Sequence, residues 1–244
     1  MIRDGHWLFK NRSHLPLVFI LMAIVFMWVK SGLYSTDYLW YDLICVLISF
    51  SGEVIRIISV GYSPDRTSGR NTSKQVASEL NTTGIYSILR NPLYLGNFLM
   101  WAGVALFTYI YWLLPIFALL YWLYYERIIL AEEDFLASKF GDSYLQYAAE
   151  VACFFPSKFT YKPNKYCFRI KKVLLKENAS IYGLVFIFVI LELYKHFLVT
   201  GKLHLDTGWI ILGSVSTVIY LILRLIKKTS RWLQTDPQKI KNPC

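Results

Sequence analysis

The sequence predicts an all-α integral membrane protein with about six transmembrane helices, two of them joined in a tight hairpin. Three observations predict it. Hydrophobic residues fill 55% of the 244 positions and charged residues only 17%, where an ordinary soluble domain is nearer a quarter charged. Apolar runs approaching or exceeding bilayer length recur along the chain. The basic residues, which bring the net charge to +10, gather beside those runs. That placement marks a cytoplasmic membrane face and argues against nucleic acid as the partner.

The elements follow in order. Residues 1–14 carry Arg3, Lys10 and Arg12 around Trp7, Leu8 and Phe9, a basic and aromatic approach to an interface. Leu15–Val29 is the first span. Residues 38–60 form the second, with Glu53 and Arg56 three apart on one helical face. Ionisable groups inside a span are costly, so this pair reads either as functional or as an internal ion pair with Arg56 reaching for the interface. A polar loop follows over residues 61–83, where Thr67-Ser68-Gly69-Arg70 offers hydroxyls, a pliable backbone and a forked cation suited to phosphate.

Residues 84–96, Gly-Ile-Tyr-Ser-Ile-Leu-Arg-Asn-Pro-Leu-Tyr-Leu-Gly, form a turn that enters a helix. Asn91-Pro92 is a helix-start pair: Asn can cap, and Pro needs no donor in the first turn. Leu93–Leu130 is too long for one crossing, so the aromatic break at residues 108–112 predicts a two-span hairpin. Glu132-Glu133 ends the second arm. Phe140, Tyr144, Tyr147 and Val151 then recur at helical spacing. Residues 157–179 are strongly basic and predict an interfacial helix, with Ile170, Val173 and Leu174 on one face. Two more spans, 181–200 and 208–226, precede a basic tail.

Six spans with both termini cytoplasmic place every basic cluster inside, in a cell's inner membrane. The expected units are residues 1–60 (two spans), 61–156 (core), 157–179 (basic linker) and 180–244 (two spans and tail). No removable signal peptide is evident. Cys45, Cys153, Cys167 and Cys244 have no metal-type or CxxC spacing and read as four unpaired thiols.

Five stretches together resemble the membrane methyltransferase family of isoprenylcysteine carboxyl methyltransferase and its bacterial relatives, which include phospholipid methyltransferases. They are Gly84-Ile85-Tyr86, Arg90-Asn91-Pro92-Leu93-Tyr94-Leu95-Gly96, Glu132-Glu133-Asp134-Phe135-Leu136, Phe140-Gly141-Asp142-Ser143-Tyr144-Leu145-Gln146-Tyr147, and Pro156. The match covers roughly residues 80–156. One departure stands out: Asn91 occupies the position where the family usually has His, and Asn does not titrate near neutral pH. The resemblance implies S-adenosylmethionine as methyl donor at a cytoplasmic site. It implies donor contacts from Tyr86, Asn91, Pro92, Leu93, Tyr94 and Glu132.

The acceptor must be placed by cations. Arg127, on the helix leading to Glu132, is the first candidate, with Arg70 and Arg90 at the same face. The loop and the Asn-Pro variant resemble a bacterial lipid-modifying branch, which implies a lipid-linked phosphate of the lipid A 1-phosphate type. A prenylcysteine carboxylate is the alternative. An oxyanion needs no general base, in keeping with Asn91. Two other classes compete. Sterol-type reductases have a similar Arg-x-Pro-x-Tyr-x-Gly corner and would use NADPH. A transporter or scaffold is disfavoured by the absence of repeats and by charged motifs on one face.

Overall fold

In the computed structural model, residues 5, 7–9, 15–30, 39–64, 77–157 and 159–229 are described. Their regular structure is helical, with isolated bridges between Gly84 and Lys162 and between Leu89 and Ala152. The helices are α1 (Leu15–Val29), α2 (Leu39–Gly61), α3 (Pro92–Phe107), α4 (Leu113–Phe140), α5 (Asp142–Glu150), α6 (Ile170–Thr200) and α7 (Thr207–Thr229), with a one-turn 3-10 helix at Ile85–Ser87. By length and composition α2, α4, α6 and α7 can each cross a membrane. Apolar stretches of α1 and α3 are shorter, at Val18–Val29 and Pro92–Phe107. The expected all-α membrane architecture is therefore present, as four helices of spanning length and two short apolar ones.

The hairpin falls where the aromatic break predicts it. Helix α3 ends at Phe107 and α4 begins at Leu113. Tyr109 in the turn has φ 59°, an uncommon conformation for a residue with a side chain. Its hydroxyl donates to Asp42 Oδ1 at 2.8 Å. Asp42 also meets Lys195 Nζ at 2.8 Å, and Lys195 lies 2.7 Å from Glu192 Oε2. This buried cluster ties α2, the hairpin turn and α6 at one end of the bundle.

Helices α2 and α3 make the closest seam. At Gly52 an added Cβ would collide with the backbone carbonyl of Gly96, and at Gly103 with Ser49 and the Cys45 carbonyl. Ser49 Oγ donates across the seam to Met100 O at 2.7 Å. Small residues let two helices approach until backbone meets backbone, which is how packing works where lipid supplies no hydrophobic contrast.

Two expectations are corrected. The basic stretch before the fifth span is not a separate interfacial helix up to residue 179: α6 runs unbroken from Ile170. Lys172 and Val173 are both buried. Lys172 Nζ donates to Ser63 O, Ser63 Oγ and Pro64 O at 2.6, 2.8 and 3.0 Å. Carbonyls just beyond the end of α2 thus recruit the cation and dock the first turn of α6. The cysteines are not all unpaired: Cys45 and Cys153 are free, but Cys167 is disulfide-bonded. No CxxC or metal-type spacing in the sequence signals that pairing.

Candidate functional site

The site forms where α3 begins, α4 ends and α5 folds back. Gly84 opens it with φ 61°. Its N–H donates to Lys162 O at 2.8 Å, and a Cβ there would strike the Asn164 side chain. Glycine is required both by the left-handed backbone and by the close strand-like approach of residues 162–164. The 3-10 turn that follows presents Tyr86. Tyr147 of α5 donates from its hydroxyl to Tyr86 O at 2.7 Å, fixing that turn. Arg90 N–H donates to Ala152 O at 2.8 Å, so the chain after α5 is laced to the chain before α3.

Asn91 takes the N-cap position and Pro92 the first helical one, as read from the sequence, but the Asn91 side chain makes no capping bond. Its amide nitrogen donates instead to Cys153 O at 3.2 Å and lies 3.4 Å from Glu133 Oε1. Asn91 thus clamps the helix start to the segment after α5. This corrects the expectation of a side-chain cap.

Ser63, Ala77, Glu79, Leu80, Asn81, Tyr86, Arg90, Asn91, Glu132, Glu133, Leu136, Tyr144 and Tyr147 line an open pocket of about 540 Å³, mouth included. Four of the sequence-predicted residues therefore meet in it: Tyr86, Arg90, Asn91 and Glu132. Pro92, Leu93 and Tyr94 are not among the lining residues. The Tyr94 ring packs on Tyr125 at 4.9 Å, and its carbonyl accepts from the Tyr121 hydroxyl at 2.6 Å, which places it in the α3–α4 seam. Arg127 is exposed and also off the pocket. Five residues along a helix amount to about 140° around its axis, so Arg127 cannot share the face of Glu132. Arg70 lies outside the described residues.

The lining residues not singled out from the sequence include Glu79, Glu133, Leu136, Tyr144 and Tyr147. The last four stand in the quoted motifs, so their periodic spacing was the available signal. Glu79 comes from the polar loop and had none. It accepts from the Tyr166 hydroxyl and pairs with Lys165 at 3.3 Å, which holds the loop against residues 165–166.

The electrostatics are those of an acidic, aromatic cup. Three carboxylates, Glu79, Glu132 and Glu133, face one lining cation, Arg90, whose Nε lies 3.3 Å from Glu133 Oε1. Burial raises the Tyr86 hydroxyl pKa, and Glu132 beside it raises it further. Burial and Glu133 do the same for Tyr144, and burial and Tyr86 for Tyr147. All three remain neutral phenols across physiological pH. Burial and Glu133 also raise the Cys153 thiol, which keeps it protonated. Among the described residues no cluster of His, Cys, Asp and Glu could hold a metal ion.

A second cavity lies further along α4, lined by Val18, Phe19, Met22, Trp101, Phe117, Leu120, Tyr121 and Tyr125. It is almost wholly apolar. Tyr125 and Glu132 are seven residues apart, so they lie on one face of α4, separated by about 10 Å along its axis. One helix face thus carries an apolar cleft and, toward the helix's C-terminal end, an acidic pocket.

Fold and pocket define a multi-pass helical membrane protein with a polar site at one end of the bundle, next to an apolar cleft. Residues 65–143 match the family described as Phospholipid methyltransferase. The chain is 36% identical over 89 residues to a Protein-S-isoprenylcysteine O-methyltransferase of Schizosaccharomyces pombe, covering 34% of this chain and 38% of that one. It is 29% identical over 129 residues to the protein of the same name from Tribolium castaneum, covering 50% and 44%. It is 27% identical over 148 residues to a nickel-cobalt-cadmium resistance protein of Alcaligenes xylosoxydans xylosoxydans, covering 61% and 67%. The chain spans from 38% to 67% of the length of these three relatives. No solved structure matches it. Over these residues the chain is similar to membrane methyltransferases of the isoprenylcysteine and phospholipid type, in line with its motifs.

Proposed function

We propose that the protein transfers a methyl group from S-adenosylmethionine to an oxyanion on a membrane-embedded, lipid-linked acceptor. The observation that carries this reading is the single face of α4 with the apolar cleft at Tyr125 and the acidic pocket at Glu132. A lipid acceptor needs both surfaces: one for its chain and one where its head meets the donor.

The pocket's chemistry fits the donor. A ligand with an ammonium and a sulfonium suits three carboxylates and aromatic walls. Tyr86, Asn91, Glu132 and Glu133 would hold it from the wall, with Pro92, Leu93 and Tyr94 as the structural backing of that wall. S-adenosylmethionine, held there, would supply the methyl group for the acceptor oxygen's new O–C bond, the S–C electron pair leaving on sulfur. The protein's own residues position rather than ionise. Tyr86, Tyr144 and Tyr147 stay neutral and help exclude water. Asn91 holds the helix start to Cys153 and moves no proton. An acceptor already ionised at neutral pH needs no base, so the absence of histidine at this position suits a phosphate or carboxylate. Arg90 is the cation nearest the transfer, and Arg70 and Arg127 remain candidates for orienting the acceptor at the surface.

A lipid phosphate of the lipid A 1-phosphate type is the acceptor we favour, on the Thr-Ser-Gly-Arg loop and the Asn-Pro variant. A prenylcysteine carboxylate is the second reading, favoured by the named activity of two relatives. A cytoplasmic face of an inner membrane is the proposed site of action, on the distribution of basic residues. Full-length protein in mixed micelles, given methyl-labelled S-adenosylmethionine with lipid A in one arm and an S-farnesylcysteine derivative in the other, tests both. Label in the lipid phosphate supports the favoured reading. Label only in the farnesylcysteine replaces it with the second, and label in neither arm removes both.

A further inference from the structure

Behind the pocket wall lies a buried charged group that no motif includes. Arg56 of α2 donates from Nε and Nη2 to Glu177 Oε2 at 3.1 and 2.7 Å, and from Nη1 to Asn97 Oδ1 at 2.5 Å. Glu53 Oε2 lies 3.9 Å from Arg56 Nε, and Ser180 of α6 donates to the same Glu53 oxygen at 3.1 Å. Its side chain runs over Gly96, where an added Cβ would lie 2.7 Å from Arg56 Cγ. The last glycine of the Arg-Asn-Pro-Leu-Tyr-Leu-Gly stretch therefore makes room for the aliphatic stem of Arg56, and the next residue, Asn97, binds its guanidinium.

Along α3 the Arg56 partner Asn97 lies between Asn91, which lines the acidic pocket, and Trp101, which lines the apolar cleft. Three nitrogens are engaged by Glu177 and Asn97, so this cation is fastened in place rather than free to seek a ligand. Arg56 and Glu177 both lie outside the matched residues 65–143.

We propose that Arg56, held by Glu177 of α6, is the positioning residue that sets the junction between head-group pocket and lipid cleft, so that helix α6 is a working part of the methyl-transfer site. The guanidinium fixes the part of α3 between Asn91 and Trp101, and the acceptor must pass along it with its head on one side and its chain on the other. The inference rests on the methyltransferase reading and adds to it a determinant of acceptor placement contributed from beyond the family segment.

The test separates placement from folding. Removing one partner of a buried pair leaves an uncompensated charge, whereas replacing both by apolar groups of similar volume is often tolerated. Full-length wild type, Arg56→Lys and a triple variant are compared in mixed micelles. The triple variant combines Arg56→Met and Glu177→Leu with Glu53→Gln, so that the third buried charge is also removed. The readouts are thermal midpoint, donor affinity by equilibrium dialysis with labelled S-adenosylmethionine, and KM and kcat for lipid A and for an S-farnesylcysteine derivative. The triple variant is expected to keep its midpoint and to bind donor within about twofold of wild type, with the acceptor KM raised about tenfold. Arg56→Lys keeps the charge but loses the fork, and is expected to raise the acceptor KM in the same sense. A triple variant with wild-type KM overturns the inference and leaves the methyltransferase reading standing. So does a triple variant whose donor affinity falls as far as its acceptor KM rises. Wild type that binds no donor overturns that reading and the inference with it.

Discussion

Arg90 and Glu133 face each other in the pocket, with Arg90 Nε 3.3 Å from Glu133 Oε1 and both side chains mostly shielded. They come from opposite sides of the hairpin. The Nε makes no aligned hydrogen bond, while Nη1 donates to Ala148 O at 3.3 Å. The contact is therefore chiefly Coulombic, in a setting less screened than open solvent. Glu133→Gln leaves Arg90 facing a neutral amide and two other carboxylates. Donor affinity is expected to fall about tenfold, or roughly 1.4 kcal/mol. Equilibrium dialysis of labelled S-adenosylmethionine reads it, and affinity within twofold of wild type would remove Glu133 from the site.

Asn91 gives a prediction about pH. Its amide holds Cys153 O and sits beside Glu133 Oε1. Asn91→Ala forfeits that clamp, a loss of about 1 kcal/mol in stability. Asn91→His places a titratable ring at the same position, where the Glu133 carboxylate favours the charged ring. The pH–rate profile, expected to be flat near neutrality in wild type, should acquire an inflection in the variant. The same inflection in wild type would show that another group supplies a base.

Much of this site was legible because its residues sit in short-range patterns. The Asn-Pro pair starts α3 as its chemistry requires, and the apolar run after it, broken by aromatics, is the observed hairpin. Tyr86, Arg90, Asn91 and Glu132 fall together in the pocket because the hairpin returns α4 beside α3. Arg127 lies off the pocket by rotation: adjacency in sequence hides the angle around a helix. Arg56 and Glu177 were beyond reach for another reason. Glu53 and Arg56 show at once as a charged pair, but the carboxylate that fastens Arg56 lies 121 residues away on α6. Lys172 likewise reads as a solvated cation until the carbonyls beyond α2 claim it.

Cys153 reports on the packing around Glu133 and Arg90. Burial and Glu133 raise its pKa, against a smaller opposing effect of Arg90. A thiol whose folded pKa is raised keeps its proton where the unfolded thiol has lost it. Its contribution to stability is thus complete below the unfolded value and lost as pH rises from that value through the folded one. Alkylation at Cys153, mapped by mass spectrometry, should be slower than at an unfolded thiol at pH 8 and should accelerate on denaturation. Equal rates before and after denaturation would count against this environment.

Gly96 tests the α2–α3 seam. A Cβ there meets Arg56 Cγ and the Gly52 carbonyl, each at 2.7 Å. The carbonyl is backbone and cannot move aside alone. Gly96→Ala should therefore cost roughly 1–3 kcal/mol. It should also displace Arg56, raising the acceptor KM along with lowering the thermal midpoint. Gly183, where an added Cβ meets nothing within 4 Å, is the matched control and should tolerate Ala with no change in either.

The buried cluster at the other end of the bundle should behave oppositely. Lys195 joins Asp42 at 2.8 Å and Glu192 at 2.7 Å, and its Nζ also lies 5.0 Å from the Phe107 ring centroid. Lys195→Met removes the one cation and leaves two buried carboxylates facing each other across α2 and α6. The expected loss is about 3–5 kcal/mol, read as a lower thermal midpoint in detergent. Adding Asp42→Asn and Glu192→Gln removes the stranded charges and should recover most of it. Asp42 and Arg56 are fourteen residues apart on α2, about 21 Å along its axis. Donor affinity in the folded fraction should therefore match wild type in both variants. A fall in donor affinity with Lys195→Met would mean that α2 transmits strain between its ends, and that the two charged clusters act as one.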